Sequence, residues 1–214
     1  MIKAVFFDFD GTIADTRGAF FKAFVRTFDD FESEIDKIKV VKNMGTELFV
    51  LFKKMGINPG HIDAMRRRFY KHYGLFTKEK IKSCVSLKPL FKISEDYKLF
   101  IISNSETFVI KKLLKSLEIK SIFSGIYGSD KFSTKDKMIR KIYRKINVKP
   151  SEVIYVGDRF TDIEYSRSAG CVSVAIHNKC SWSDLKTIKA QRPDYIIKDF
   201  RELGRLLKIL KKNG

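Results

Sequence analysis

Near its N-terminus the chain reads Val5-Phe6-Phe7-Asp8-Phe9-Asp10-Gly11-Thr12, an apolar run that ends in two carboxylates two residues apart. Because side chains alternate along a β-strand, Asp8 and Asp10 are predicted to leave the strand on the same side. Gly11 then favours a turn out of the sheet. Two like charges held together at a strand's carboxyl end are costly unless a cation or a reacting group compensates them. The run therefore predicts a chemical site at the ligand-binding edge of an open α/β sheet.

The rest of the chain contains alternating strand and helix patterns. Strands are expected at residues 2–8, 99–102, 126–128, 153–156, 172–176 and 195–197. Helices are expected at residues 106–117, 135–147, 161–169 and 201–211. Apolar strands that alternate with amphipathic helices are typical of a parallel sheet covered on both faces. We therefore predict an α/β fold with a Rossmann-like parallel sheet in three α/β/α layers.

A block between the first strand and the second follows a helical pattern throughout. Phe20, Phe24 and Phe28 lie four residues apart, and the segment 56–60, which contains two glycines and a proline, indicates a break between helices. We interpret the aromatic residues of this block as core packing rather than as a cofactor site. We predict a core domain formed by residues 1–16 and 84–214, with an inserted α-helical cap at residues 17–83.

Composition limits the function classes. The chain has 214 residues, and its 43 lysines and arginines against 25 acidic residues give a formal net charge of +18. The basic residues are spread along the chain without a nucleic-acid-binding motif, so we expect no nucleic-acid partner. Cys84, Cys171 and Cys180 have no metal-ligand spacing and are interpreted as reduced thiols. No signal-peptide pattern or membrane-spanning run is present, so we expect a cytoplasmic protein with no membrane partner.

Polar residues also follow two later strands. The strand at 99–102 is followed by Ser103-Asn104-Ser105, where a hydroxyl and backbone amides would suit a phosphate oxygen. A simple helix cap would have the same sequence pattern. The strand at 153–156 is followed by Gly157-Asp158, and Asp162 lies one helical turn further on. The carboxylates at the two strand ends form an oxygen-rich set suited to Mg²⁺.

A lysine at the start of a helix is the last candidate. Lys135 lies at the start of the helix expected at 135–147, where a positive charge is unfavourable toward the helix dipole. This placement favours another role, such as neutralising a phosphate, and chance placement in a lysine-rich chain is the alternative explanation. Lys137 is the main alternative for that role, and Lys131 is a more distant one.

In this order the motifs resemble those of the haloacid dehalogenase-like hydrolase superfamily, in the branch with a helical cap inserted after the first strand. The segment Asp8–Thr12 resembles its first motif, Ser103-Asn104 its second, Lys135 its third, and Gly157-Asp158 with Asp162 its fourth. The resemblance runs over the whole chain and extends to phosphoglycolate phosphatases.

The resemblance implies a phosphoric monoester hydrolase that acts on a small phosphorylated metabolite, with Mg²⁺ as its cofactor. Asp8 would be the nucleophile, Asp10 the general acid and base, and Lys135 the third catalytic residue. The phosphate group would be held by Asp8, Gly11, Thr12, Ser103, Asn104 and Lys135. Mg²⁺ would be held by Asp8, the main-chain carbonyl of Asp10, Asp158 and Asp162.

The substrate is expected to depend on the helical block. Gly45-Thr46-Glu47 lies where relatives place substrate-contacting loops, and an arginine of Arg66-Arg67-Arg68 could bind a substrate carboxylate, as in phosphoglycolate. A solvated helix face is the better explanation for at least two of these three arginines. The alternatives are a β-phosphoglucomutase-like phosphosugar isomerase and a non-catalytic basic nucleic-acid-binding module. We expect a monomer or a homodimer.

Overall fold

The computed structural model describes residues 1–78 and 81–212. The chain forms two compact units. The sheet unit comprises Met1–Asp15 and Lys82–Gly214, and the helical unit comprises Thr16–Ile81. Within the described residues, every helix is too short or too polar to cross a membrane.

The sheet unit is built on six parallel strands. In chain order they are β1 (Ala4–Phe7), β2 (Lys98–Ile102), β3 (Phe123–Tyr127), β4 (Val153–Gly157), β5 (Val172–Ile176) and β6 (Tyr195–Ile197). Their order across the sheet is β3-β2-β1-β4-β5-β6. β1 is therefore flanked by β2 and β4, which places the three strands with polar ends side by side.

The helical unit contains α1 (Arg17–Asp30), α2 (Lys37–Asn43), α3 (Leu48–Lys54) and α4 (Pro59–Lys78). Its interior is a cluster of aromatic rings on α1, α3 and α4. Phe24 is central, with ring centroids 5.1 Å from Phe28 and 4.9 Å from Phe52. Phe20 lies 5.0 Å from Phe69 in the same cluster. These rings support the interpretation of the aromatic residues as packing.

The helices of the sheet unit are α5 (Lys88–Asp96), α6 (Thr107–Ser116), α7 (Lys135–Lys145), α8 (Phe160–Ala169), α9 (Leu185–Ala190) and α10 (Phe200–Lys212). On one face of the sheet, Phe6 packs with Phe100 and with Met138 of α7. On the opposite face, the ring of Phe7 lies 5.9 Å from that of Phe200 in α10. Helices thus cover both faces, and the predicted α/β class with a parallel sheet is confirmed.

The sequence patterns missed α5 and α9 and shortened β3. The first turn of α5 contains Pro89, where a missing amide hydrogen costs nothing. α9 has only six residues, and its signal is the cap at Asp184, whose side chain accepts a hydrogen bond from the Thr187 amide. β3 begins at Phe123, whereas the sequence pattern predicted its start at residue 126. The pattern missed the first residues because the Ser124-Gly125 segment has weak strand propensity.

Candidate active site

The sheet register places the motifs at one level. Phe7, the last residue of β1, pairs with Ile101 of β2 and with Val156 of β4. The amide of Asp8 continues the ladder by donating a hydrogen bond to the Val156 carbonyl at 2.9 Å. Asp8, Ser103 and Asp158 therefore leave adjacent strands at the same edge of the sheet, as expected for a ligand site in an open α/β sheet.

A buried lysine joins two of the carboxylates. The Nζ atom of Lys135 lies 3.0 Å from Asp8 Oδ1 and 2.7 Å from Asp162 Oδ1, and all three side chains are buried. Lys137 and Lys131 are exposed, and the latter pairs with Asp130. Of the three lysines considered from the sequence, Lys135 is the one that reaches the acidic cluster.

Asp158 is fixed by contacts from two loops. Its Oδ2 atom accepts a hydrogen bond from the Trp182 amide at 2.6 Å, and its Oδ1 atom accepts one from the Thr12 hydroxyl at 3.1 Å. Gly11 adopts a φ of +77°, and a Cβ atom there would lie 2.4 Å from Asp158 Oδ2. Only glycine permits both this backbone conformation and this close approach.

Asp10 is held by two serines that follow β2. Its Oδ2 atom accepts hydrogen bonds from the hydroxyl of Ser105 at 2.7 Å and from that of Ser103 at 3.2 Å. The Ser105 contact was not anticipated from the sequence, although the residue belongs to the triplet noted there. Two hydroxyl donors on one oxygen orient this carboxyl group within the site.

The loop that carries these serines is anchored to the neighbouring loop after β3. The Ser129 amide donates a hydrogen bond to the Ser105 carbonyl at 3.1 Å. The hydroxyl and amide of Thr107 both donate to Asp130 Oδ1, at 2.6 and 2.7 Å. The Gly128 amide in turn donates to the Thr107 hydroxyl at 2.9 Å. This network fixes the backbone from which Ser105 reaches Asp10.

Two residues expected to bind phosphate make other contacts. The Thr12 hydroxyl donates to Asp158, and the Gly11 amide donates to the Ala14 carbonyl at 2.9 Å within the turn after β1. Asn104 is half-buried in the loop between Ser103 and Ser105. The Trp182 amide is a site contact that sequence analysis missed, because a backbone donor in a loop leaves no signature in residue type.

The electrostatics of the cluster follow from its burial. Burial raises the pKa of Asp8 from 3.8 to about 7; the charge of Lys135 opposes this rise, and those of Asp162 and Asp10 add to it. The pKa of Asp158 is raised well above its usual range by burial and by the negative charges of Asp8 and Asp162. For Lys135, burial acts to lower the pKa, but the charges of Asp162 and Asp8 outweigh it and raise the value.

The same cluster fits a divalent cation. Asp8, Asp158 and Asp162 each offer a carboxylate oxygen, and these oxygens lie within 4.8 Å of one another. Asp8 Oδ1 is buried and receives no well-aligned hydrogen bond from the described part of the chain, although Lys135 Nζ is close. Mg²⁺ prefers such oxygen ligands. The side chain of Asp10 is not a member of this trio, so a contribution from Asp10 would come from its carbonyl, as expected.

The candidate substrate residues of the helical unit can also be located. The loop Gly45-Thr46-Glu47 lies between α2 and α3, and the three arginines lie on α4. Arg66 pairs with Asp63 at 3.5 Å, and Arg68 pairs with Asp30 at 3.1 Å. Two of the three arginines are thus engaged in ion pairs of the helical unit.

Comparison with known proteins identifies the family. A profile of the haloacid dehalogenase-like hydrolases matches residues 5–176, which include every motif described above. The chain belongs to this family of hydrolases. A relative from Caldanaerobacter subterraneus, provisionally named as pyrophosphatase PpaX, is 30% identical over 98% of this chain and 95% of its own length. A phosphoglycolate phosphatase from Aquifex aeolicus is 24% identical over 96% of this chain and 97% of its own length.

Solved structures share the fold. A haloacid dehalogenase-like family hydrolase from Streptococcus pneumoniae superimposes with a TM-score of 0.82 at 24% identity, covering 96% of this chain and 98% of its own. A predicted phosphoglycolate phosphatase from Haemophilus somnus gives a TM-score of 0.85 at 20% identity with the same coverage. These likenesses establish the architecture of the family for this chain.

Proposed function

We propose that the protein is a Mg²⁺-dependent phosphatase that hydrolyses small-molecule phosphate monoesters through an aspartyl-phosphate on Asp8. The observation that carries this proposal is the buried group of Asp8, Lys135, Asp158 and Asp162, with Asp10 held beside it by two serines. The membership of the chain in the haloacid dehalogenase-like hydrolases also supports this function.

In the first half of the reaction, a carboxylate oxygen of Asp8 attacks the phosphorus atom. The bond from phosphorus to the alcohol oxygen breaks, and Asp10 donates a proton to that oxygen as it leaves. Lys135, which already lies 3.0 Å from Asp8, supplies positive charge beside the phosphoryl oxygens.

In the second half, water hydrolyses the aspartyl-phosphate. Asp10, now ionised, takes a proton from the water as its oxygen bonds to phosphorus. The bond from phosphorus to Asp8 breaks, which releases phosphate and restores both carboxyl groups. The hydroxyls of Ser105 and Ser103 hold Asp10 in place for both proton transfers.

Mg²⁺ would be held by Asp8, Asp158 and Asp162 together with the main-chain carbonyl of Asp10. When bound, the ion supplies positive charge that lets an anionic carboxylate approach an anionic phosphate. The Trp182 amide and the Thr12 hydroxyl orient Asp158 for this role.

Phosphoglycolate is our candidate substrate, supported by the name of the Aquifex aeolicus relative. Inorganic pyrophosphate, an anhydride whose leaving group is phosphate rather than an alcohol, is a second candidate, because the relatives from Caldanaerobacter subterraneus and Listeria monocytogenes carry a pyrophosphatase name. In the helical unit, Arg66 and Arg68 pair with acidic side chains.

The test is hydrolysis of p-nitrophenyl phosphate by EDTA-treated protein before and after Mg²⁺ is restored. We expect turnover only after Mg²⁺ is restored. The folded Asp8→Asn variant should have a kcat at least about 10³-fold lower than the wild type. Phosphoglycolate, pyrophosphate and β-glucose 1-phosphate form the substrate panel. Isomerisation of the last without phosphate release would favour the mutase alternative. Absence of Mg²⁺-dependent turnover on every substrate would overturn the proposal.

A further inference from the structure

A groove in the sheet unit lies away from the acidic cluster. It runs between α5 and α10 and has a volume of about 560 Å³. Small-molecule sites in proteins commonly have volumes of ~300–1,000 Å³. None of the residues that line it belongs to the proposed catalytic site. The proposed phosphatase reaction therefore does not account for this groove.

The rims of the groove carry positive charge. Six basic side chains line it: Lys88, Lys92, Arg201, Arg205, Lys208 and Lys211. Asp96 is the single acidic residue in the lining. Within residues 1–78 and 81–212, no ion pair joins any of the six to an acidic side chain. Like charges gathered in this way repel one another, and a bound polyanion would relieve that repulsion.

The floor of the groove is apolar. Ile93, Phe200 and Leu207 are buried beneath it, and the half-buried ring of Tyr97 also lines it. An apolar floor beneath charged rims suits a ligand that has a flat, weakly polar body and several negative charges. An aromatic side chain such as Tyr97 offers a stacking surface for a planar ring.

Gly204 provides an independent observation. It lies inside α10 and lines the groove, and a Cβ atom built there would meet no atom within 4 Å. Neither its backbone conformation nor a neighbouring atom requires glycine, although glycine weakens a helix interior relative to alanine. The missing side chain keeps the groove open, and a ligand that approaches the helix closely would explain it.

We propose that this groove binds a small organic polyanion of the nucleoside polyphosphate class. The phosphates would contact the basic rims, and the base would lie on the apolar floor. α5 has nine residues and, at about 1.5 Å per residue, is about 13 Å long, which suits one nucleotide better than an extended nucleic acid. The site would bind its ligand independently of the phosphatase reaction.

The test uses ATP as the probe, in EDTA at low ionic strength, with binding measured by titration calorimetry. We expect adenosine and tripolyphosphate each to bind at least about tenfold more weakly than ATP, since adenosine lacks the phosphates and tripolyphosphate lacks the base. Lys208→Glu in the groove should weaken ATP binding by about tenfold or more. Lys112→Glu, an equal charge change at an exposed position on α6, should alter it less than about twofold.

Two glycine variants separate the groove from general electrostatics. Gly204→Leu fills the groove without changing charge and should weaken ATP binding, while turnover of p-nitrophenyl phosphate stays at the wild-type level. Gly204→Ala is the milder variant should leucine disturb folding. Equal ATP affinity in the wild type and in both glycine variants would overturn the proposal. Three other results would also overturn it. Tripolyphosphate could bind as tightly as ATP, or Lys208→Glu and Lys112→Glu could weaken ATP binding equally. The third is that the groove variants lose affinity for an oligonucleotide but keep their affinity for ATP.

Discussion

The two units of this protein differ in whether they bury charge: the sheet unit does so beside its apolar core, and among the described residues the helical unit does not. At the carboxyl end of the sheet, the sheet unit buries Asp8, Asp158, Asp162 and Lys135, and burial raises the pKa of Asp8 to about 7. The helical unit is packed instead with aromatic rings around Phe24. Buried charge destabilises a fold unless it is compensated, whereas buried rings stabilise it. The buried charges of the sheet unit thus lower its stability in exchange for a reactive site, whereas the aromatic packing of the helical unit serves stability alone.

The largest stability effect is expected in the aromatic cluster. Phe24 is fully buried, and Phe24→Ala should lower the free energy of unfolding by about 4 kcal/mol because it leaves a cavity. Urea unfolding followed by circular dichroism measures this change. Phe49→Ala, at a residue of α3 that is 39% exposed, is the matched control and should cost less than about 1 kcal/mol. Similar losses in the two variants would contradict the packing role.

Removal of the buried lysine should come next in size. Lys135→Met leaves Asp8 and Asp162 without their cation and should lower the free energy of unfolding by about 3 kcal/mol at pH 8. The loss should shrink at pH 5, because the Asp8 carboxyl, whose pKa is raised to about 7, can then bind a proton. Lys137→Met, two residues away and exposed, should cost no more than about 0.5 kcal/mol. A Lys135→Met variant as stable as Lys137→Met would argue against the buried ion network.

The charge cluster should also produce a pH dependence. The pKa of Asp8 is raised from 3.8 to about 7, mainly by burial, so the folded state binds this proton more tightly than the unfolded state. The contribution of Asp8 to stability is therefore fully present below about pH 4 and is lost as the pH rises to about 7. Denaturation of the metal-free protein across this range measures it. Asp8→Asn should flatten the dependence of the free energy of unfolding on pH. Equal slopes in the wild type and the variant would show that Asp8 does not cause this dependence.

The smallest effect is expected at a positioning residue of the proposed reaction. Ser105→Ala removes the 2.7 Å hydrogen bond to Asp10 and should lower kcat about tenfold with little change in KM. Ser105→Thr keeps the hydroxyl and should restore most of the rate. Ser133→Ala, at an exposed serine, serves as the control. A change in KM alone, or no rescue by threonine, would show that Ser105 does not act by positioning Asp10.

Much of the architecture was predictable, because strand and helix patterns are local. The apolar runs around Phe6, Ile101 and Ile154 predicted a parallel sheet, and the sheet is present. The failures are local as well. The short helices α5 and α9 were not predicted, and the Ser124-Gly125 segment hid the beginning of β3. The Ser124-Gly125 segment is a position where intrinsic propensity and the tertiary outcome disagree.

Within the candidate site, the residue types that carry chemistry were recognisable, but most of their partners were not. Asp8, Asp10 and Asp158 were visible because carboxylates at strand ends are unusual in a buried pattern, and Asp162 was visible because it lies one helical turn after Asp158. The order of the motifs and the family resemblance come from sequence alone, since both depend on residue type and spacing.

The family resemblance had already favoured Lys135 over Lys137. Only the tertiary structure showed that the Thr12 hydroxyl contacts Asp158 and that the Trp182 amide and the Ser105 hydroxyl reach their carboxylates. Trp182 lies 24 residues after Asp158, and Ser105 lies 95 residues after Asp10. Contacts across such separations depend on strand order, register and loop conformation. A hydrogen bond from a backbone amide leaves no mark on the choice of amino acid, and a hydroxyl contact between distant loops depends on how those loops fold. The sequence could therefore predict the candidate site residues but not the contacts that hold them.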